Sequence, residues 1–329
     1  MRLEHAPRID PAPRTATAAL LLAAAVALAV PGPAAAQEVS YSGSLQYATG
    51  DYLFTERTNS VYLFTSLAVQ AGRVTISGSL PLIYQSTPWI SYSTGGGIPT
   101  GGPQQGEVGD SLQRRGGGGG PMSMASRADL AAALGSGRMP ASAAAPRPAV
   151  RPAAAMQPIA LPDTASFDEF GAGDPTFRAA VDLVEPGTGH VTVTLAGEVK
   201  APIADPASGF GTGEWDGGGL LSVGGRLGST FLFGEVGYWV LGDMPDLQLQ
   251  NPVSYSVGVG RRIGNGDLAV LASLSGYTRI LAETDPPLDV GGGLSYRLAD
   301  GRSLSLGVSV GLSESSPDLS LSVGWRTRL

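Results

Sequence analysis

The feature that most constrains the fold is an alternation of apolar and polar residues, with a period of two, that recurs along most of the chain. Its most regular instance is the last stretch, 319–329, where apolar residues hold the odd positions as far as Trp325 and small or charged residues hold the even positions. A period of two predicts a β-strand with one apolar and one polar face. Because strands at chain ends usually fray, one this regular is expected to be paired on both sides, as in a sheet whose last strand closes onto its first.

The alternation predicts about 12 strands, each near the ~10 residues that a tilted strand needs to cross an outer membrane. Even-numbered predicted strands are followed by short turns, such as Gly228-Ser229, and odd-numbered ones mostly by longer loops. An even-stranded barrel with both termini in the periplasm explains this rule, because its short turns are periplasmic and its long loops extracellular. The sequence therefore predicts an all-β fold, a transmembrane antiparallel β-barrel over residues 37–329. A secreted sandwich or adhesin is the alternative, but a sandwich gives no reason for the rule.

The composition excludes several classes of protein. The chain has 48 Gly and 25 Pro but only 15% charged residues, which fits strands that need just one apolar face. It has no Cys, so it has no disulfide framework, no thiolate metal site and no cysteine nucleophile. Its formal charge of −7 argues against nucleic acid as a partner.

The N-terminus is predicted to be a signal peptide spanning 1–36. A polar segment with three arginines precedes an apolar run at Ala18–Val30, which is too short to span a bilayer as a helix. Pro31 follows the run, and Ala34-Ala35-Ala36 offers a small-residue cleavage site, so we expect cleavage near Ala36. This leader predicts export, and with the strand pattern it predicts the bacterial outer membrane.

A long loop rich in Gly, Pro and Ala is predicted within the barrel, at 85–170. Such a composition favours flexible or extended chain over a packed core. The exception is 126–134, where a Ser N-cap and an Ala/Leu run predict a short helix. In a barrel the loop is expected to be extracellular or folded into the lumen.

Two stretches resemble a known family. They are Gly171-Ala172-Gly173-Asp174, and Lys200-Ala201-Pro202 followed by Gly209-Phe210-Gly211-Thr212-Gly213. They resemble motifs of the outer-membrane barrels named as transporters of the meta-pathway of phenol degradation. The resemblance implies an outer-membrane location and uptake of small hydrophobic or aromatic compounds.

The C-terminal stretch resembles the recognition signal of bacterial outer-membrane proteins. It has alternating apolar residues around Gly324, but it finishes on Leu329 where such signals usually finish on an aromatic residue. The resemblance implies that the barrel-assembly machinery binds the last strand.

No catalytic, cofactor-binding or metal-binding residues are predicted, and the chain is not expected to be an enzyme. The one histidine beyond the leader, His190, stands alone next to a turn, so a barrel hydrolase is only a weak alternative. The carboxylates of 205–216 lack the dense spacing of a Ca²⁺ loop. The glycines of 116–120 follow no strand and open no helix, unlike a phosphate loop.

The polar faces of the predicted strands would line the lumen. Most of their residues are small, which leaves room for a narrow water-filled path. Because the inward charges are mostly basic, one hypothesis is that the lower lumen favours anions. The alternative is that the arginines near the periplasmic strand ends pair with acids or lipid head groups. The predicted pore-lining charges are Arg178, Asp182, Glu198, Lys200, Arg226, Arg262, Asp289, Arg297, Arg326 and Arg328.

The predicted function is a passive channel or transporter for small, hydrophobic or aromatic solutes, gated or narrowed by the 85–170 loop. Its expected partners are the lipid bilayer, the solute and the barrel-assembly machinery. The alternative function is a surface-display or adhesion barrel whose long loop binds a partner.

Overall fold

The computed structural model describes residues 37–50, 57–86, 169–184, 191–204, 210, 213–242, 249–280, 285–299 and 301–329. The predicted leader and the helix predicted at 126–134 lie outside these residues. Among the described residues, no helix is long and apolar enough to cross a membrane. The strands are β1 (Gln37–Gly50), β2 (Thr58–Ala71), β3 (Val74–Gln85), β4 (Glu169–Ala172), β5 (Thr176–Val184), β6 (Val191–Lys200), β7 (Asp216–Leu227), β8 (Thr230–Val240), β9 (Val253–Ile263), β10 (Leu268–Tyr277), β11 (Leu288–Ala299), β12 (Arg302–Gly311) and β13 (Leu319–Arg328).

All of these strands except β4 form a closed antiparallel barrel. Each pairs with the next barrel strand along the chain, and β13 returns to pair with β1 from Ser40 opposite Arg328 to Thr49 opposite Leu319. The prediction of an antiparallel barrel of about 12 strands is confirmed, including closure of the last strand onto the first. Closure pairs the backbone groups that an open sheet would leave at its edges.

The extra strand, β4, is the continuation of β5 along β3 after a bulge. Ala172 lies opposite Leu82 and Thr176 lies opposite Ser79, so three residues of one strand face two of the other. Pro175 has no N–H to donate, which interrupts the ladder at this point. The loop predicted at 85–170 therefore ends two residues early, because 169–170 belong to β4.

The alternation places apolar side chains on the outside of the barrel. Leu45, Val257 and Leu306 face outward and are 45%, 57% and 48% exposed, whereas Ser305 and Ser309 on the inner face are buried. A continuous exposed apolar surface of this kind suits lipid rather than water.

The two ends of the barrel differ in their connections. At the short-turn end lie the start of β1, the end of β13 and tight turns that contain Gly228 and Gly301, whose φ values of 63° and 73° favour glycine. At the long-loop end lie the connections that follow β1, β3, β6, β8, β10 and β12.

Apolar residues occupy both odd and even positions of β8, so its alternation does not show which side chains face the lumen. The register with the neighbouring strands does. Phe231, Phe233 and Trp239 lie opposite inward positions of β7 and β9 and are buried. Leu232 and Tyr238 lie on the outer face and are exposed.

Candidate functional site

The barrel lumen is the candidate site, and its lining differs around the circumference. Strands β5–β10 contribute charged and aromatic side chains, whereas β11–β13 and β1 contribute mainly Ser and Gly. Because these side chains are small, the wall of β11–β13 and β1 occupies less of the lumen than the wall of β5–β10 does. We call it the Ser/Gly wall. It comprises Ser40, Ser42, Ser44, Gly291, Gly293, Ser295, Ser305, Gly307, Ser309, Ser320, Ser322 and Gly324.

The inward aromatic rings of the opposite wall lie over glycines of neighbouring strands. A Cβ added at Gly258 or Gly260 would lie 2.1 Å from a ring carbon, so these positions accept a ring only because they lack a side chain. The rings therefore fill space at the wall rather than at the centre. The pairs are Trp239 with Gly218, Phe233 with Gly258 and Phe231 with Gly260.

Phe210, which belongs to the connection between β6 and β7, is packed inside the long-loop end. Its side chain is 3% exposed and forms a cluster with Tyr62, Phe64 and Ile83, which are inward residues of β2 and β3. A Cβ at Gly171 would lie 2.4 Å from the Phe210 ring. The ring thus forms a second layer over inward side chains of the wall.

Lys200 holds the same connection in place through a buried ionic triad. Its Nζ lies 2.5 Å from Asp216 Oδ2 and 3.4 Å from Asp174 Oδ2, and all three side chains are fully buried. Asp174 Oδ1 also accepts hydrogen bonds from the backbone N–H groups of Ile203 and Ala204, both at 2.8 Å. The stretches that carry the family resemblance, 171–174 and 200–202, therefore meet through Asp174 and Lys200.

A second apolar cluster lies at the same end, on the wall formed by β6–β10. Trp239 is fixed within it, because its Nε1 donates a 3.0 Å hydrogen bond to Ser254 Oγ. Three buried members come from beyond the strand ends, so chain outside the strands folds inward here. The members are Ala196, Leu220, Trp239, Leu241, Leu249, Tyr277 and Ile280.

In the middle of the wall formed by β5–β8, charged side chains contact one another or a neighbouring hydroxyl. Arg178 lies 3.4 Å from Glu198 and 3.8 Å from Glu235, and Ser222 Oγ donates a 2.7 Å hydrogen bond to Glu235. Thr194 likewise donates to Asp182 at 2.7 Å. Between β10 and β11, Ser275 Oγ donates a 3.1 Å hydrogen bond to Asp289.

At the short-turn end the arginines contact groups near their own strand ends. Arg328 pairs with Glu38 at 2.7 Å, and Arg297 pairs with Asp267 at 3.6 Å. Arg326 donates to Ser40 Oγ at 2.8 Å, and Arg226 donates to a turn carbonyl at 3.0 Å.

The ten charges predicted to line the pore all occupy inward register positions, but they differ in burial. Lys200 is fully buried in its triad, and Asp182, Glu198, Asp289 and Arg326 are also buried. Their role in lining a path stays a prediction.

Three buried acids that face inward were not predicted from the sequence: Asp174, Asp216 and Glu235. Glu235 was missed because apolar residues occupy both faces of β8. Asp174 and Asp216 flank strand ends, where the period of two stops. The glycines next to Asp174 and Asp216 were the sequence signal that could have indicated these two residues.

Among the described residues, no group of three or more His, Asp or Glu side chains is placed to hold a metal ion. Asp216, from the stretch weighed as a Ca²⁺ loop, pairs with Lys200 instead. His190 and the glycines of 116–120 lie outside the described residues, so the hydrolase alternative gains no support from them.

No family model matches this sequence, and no curated protein matches it either. A solved outer-membrane channel from Pseudomonas putida F1 is similar in structure, with a TM-score of 0.52 and 12% identity over 91% of this chain and 99% of that one. At this identity the likeness shows the fold, which is that of an outer-membrane barrel. The family suggested by the short motifs stays a prediction.

Two further structures align with lower scores. The monoaromatic hydrocarbon channel CymD gives a TM-score of 0.42 at 8% identity, over 89% of this chain and 88% of that one. The P. putida toluene transporter TodX gives 0.38 at 11% identity, over 91% of each chain. Both scores are too low to support an argument about this protein.

Proposed function

We propose that this protein is a passive outer-membrane channel for small solutes. The observation that carries the proposal is the Ser/Gly wall within a closed barrel whose outer surface is apolar. A barrel that served only as an anchor would gain stability from large inward side chains, whereas a wall of Ser and Gly leaves a polar path.

The proposed orientation places the short-turn end in the periplasm and the long-loop end outside the cell. Outer-membrane barrels have short periplasmic turns and long extracellular loops, and the connections here differ in the same way. Export by the 1–36 leader and assembly through β13 belong to this proposal. Partner binding by the 85–170 loop stays a prediction, because almost all of that loop lies outside the described residues.

The proposed solute has an apolar body and a polar group. Apolar clusters around Phe210 and Trp239 lie at the long-loop end, while Ser hydroxyls continue along the other wall. Apolar surface binds the body of such a solute, and a few hydroxyls orient its polar group. Small hydrophobic or aromatic compounds that carry a hydroxyl or carboxyl fit this description.

The buried inward charges predict a preference for cations. Among the described residues, six inward acids are buried, against two buried inward basic residues, Lys200 and Arg326, and the half-buried Arg178. The six acids are Asp174, Asp182, Glu198, Asp216, Glu235 and Asp289. Charges in a low-dielectric interior act more strongly than screened ones near an exposed end. We therefore propose the opposite of the anion preference expected from counting inward arginines. A reversal potential in a salt gradient measures this preference, and an anion-selective value would contradict it.

The test of channel function is solute flux in reconstituted liposomes. The mature chain, with folding verified by a mobility shift on heating, is expected to admit small neutral solutes and to give discrete conductance steps in planar bilayers. The control is the same protein unfolded by boiling before reconstitution. A folded barrel that admits no solute and carries no current would overturn the proposal.

A further inference from the structure

Two arginines lie on the lipid-facing side of the barrel at the short-turn end. Arg261 shares the outer face of β9 with the exposed Val259, and Arg302 shares the outer face of β12 with the exposed Leu304. Both arginines are themselves exposed. Among the described residues, neither guanidinium group has an ion pair or a hydrogen bond. The described part of the chain therefore supplies no anion to either charge.

Each of these arginines lies directly opposite a threonine. Arg261 pairs with Thr230 of β8, and Arg302 pairs with Thr327 of β13. Directly opposed residues of an antiparallel pair have Cβ atoms about 4.5–5.5 Å apart, so the two side chains share one patch of the outer face. A guanidinium and a hydroxyl both donate hydrogen bonds, and the oxygens of one phosphate can accept from both. We call these residues the two Arg/Thr pairs.

The two Arg/Thr pairs lie at about the same depth. Rows of paired residues climb toward the long-loop end as the strand number rises, since one row joins Asp182, near the short-turn end of β5, to Asp289, near the long-loop end of β11. With strands ~4.8 Å apart and tilted by ~40°, the row from Arg261 climbs about 9 Å before it reaches Leu306 on β12. Arg302 lies about 10 Å from Leu306 in the opposite direction, so the arginines are level to within about 1 Å.

The outer surface next to Arg302 is typical of a membrane boundary. Trp325 and Tyr296 both pair with Leu304, the outward residue that follows Arg302 on β12. Trp and Tyr are enriched where the apolar band of a barrel meets the lipid head groups. Leu329, at the same end, is 71% exposed. Arg302 therefore lies where head groups meet an apolar protein surface, and Arg261 shares its level.

We propose that the two Arg/Thr pairs bind the phosphate groups of membrane phospholipids, in the leaflet at the short-turn end. The planar guanidinium fork suits a phosphate, and the acyl chains of the same lipid cover the apolar residues that continue along each strand. This binding surface is on the outside of the barrel. It does not depend on the proposed channel function, so either can fail without the other.

The test is a lipid titration of the folded protein in detergent, measured by native mass spectrometry with dimyristoylphosphatidylglycerol as the probe. Replacing both arginines, by Arg261→Gln and Arg302→Gln, is expected to lower the apparent affinity about fivefold, since each basic residue at an anionic membrane surface contributes about that factor. Arg261→Lys with Arg302→Lys keeps the charges and is expected to retain most of the affinity. Dimyristoylglycerol, which has no phosphate, is expected to bind all variants equally.

The matched control replaces two arginines that face inward at the same end. Arg297→Gln with Arg328→Gln removes the same charge, but these side chains contact Asp267 and Glu38 instead of lipid. Its affinity for the phospholipid is expected to equal that of the wild type. The heat-dependent mobility shift verifies the folding of each variant. If the outer double variant does not fold, the single variants Arg261→Gln and Arg302→Gln are each expected to show part of the loss.

Three results would overturn the inference. The first is an unchanged affinity when both outer arginines are replaced. The second is an equal loss in the inward control, because the effect would then follow net charge and not position. The third is displacement of the lipid by millimolar inorganic phosphate, which would make the pairs a site for a free anion instead of a phospholipid.

Discussion

The two ends of the barrel use the same kind of contact in different surroundings. At the long-loop end Lys200 pairs with two aspartates, and all three side chains are fully buried. At the short-turn end Arg328 pairs with Glu38, and these side chains are 46% and 31% exposed. A buried charge depends on its partner, whereas an exposed one exchanges its partner for water at little cost. The Lys200 triad is therefore structural in a way that the Arg328–Glu38 pair is not.

The length of the connections accounts for part of this difference. The tight turns of the short-turn end are local, and glycines such as Gly228 and Gly301 allow their geometry. The long-loop end brings together Asp174, from the bulge between β4 and β5, and the two residues that flank the β6–β7 connection, Lys200 and Asp216. A connection without regular strand pairing needs side-chain contacts to hold it, and the triad together with Phe210 provides them.

The largest expected effect is the removal of Lys200. Lys200→Met leaves the carboxylates of Asp174 and Asp216 buried without their shared cation, so we expect a loss of about 3–5 kcal/mol in the free energy of unfolding. The measurement is urea unfolding in lipid vesicles, followed by the heat-dependent mobility shift.

The control for Lys200→Met is the triple variant with Asp174→Asn and Asp216→Asn. It has no unpaired charge, and the two amide oxygens can still accept the hydrogen bonds from the backbone, so most of the lost stability is expected to return. If Lys200→Met costs no more than Arg328→Gln, the contrast between the two ends is wrong.

A second prediction tests whether inward side chains are also tightly packed away from the long-loop end. Gly258→Val, where the added Cβ would meet the Phe233 ring at 2.1 Å and a backbone oxygen at 2.8 Å, is expected to cost about 1–3 kcal/mol. Gly219→Val is the control, because nothing lies within 4 Å of its Cβ position on the lipid face. Equal unfolding free energies for both variants would show that the inward rings move aside freely.

A third prediction concerns a neutral contact at the long-loop end. Ser254→Ala removes the acceptor of the buried Trp239 Nε1, and leaving that donor unsatisfied is expected to cost about 1–2 kcal/mol. The fluorescence of Trp239 should also change, and the Trp239→Phe variant assigns that signal. Ser305→Ala, at a buried serine of the Ser/Gly wall, is the matched substitution. If it costs as much as Ser254→Ala, the hydrogen bond has no special role.

The barrel could be predicted from the sequence because the same pattern recurs in many strands. The period of two and the alternation of short and long connections recur over many strands, so an error at one strand boundary does not alter the fold. The facing of β8 could not be predicted, because Phe231 and Leu232 make both faces apolar. Only pairing with β7 and β9 distinguishes them.

The candidate site was harder to predict, because it depends on contacts between separate connections. Lys200 was recognised as inward, but its burial by Asp174 and Asp216 requires the bulge between β4 and β5 and the register of β7. Phe210 was part of a family motif, and no periodicity indicated that it packs inside the barrel. The short motifs contain Asp174, Lys200 and Phe210, but they did not indicate the contacts that these residues make.

The smallest expected effect is at the short-turn end. Comparing it with Lys200→Met separates the contribution of burial to the unfolding free energy from the contribution of charge. Arg328→Gln removes the 2.7 Å contact with Glu38, as Lys200→Met removes a contact of similar length, yet the expected cost is below about 1 kcal/mol because water can hydrate the remaining carboxylate. The same urea titration measures it, at low salt and at 1 M salt. The small wild-type advantage should shrink at high salt, since exposed charges are screened. A salt-independent loss of several kcal/mol would mean that Arg328 stabilises the closure of β13 onto β1 by some means other than an exposed ion pair.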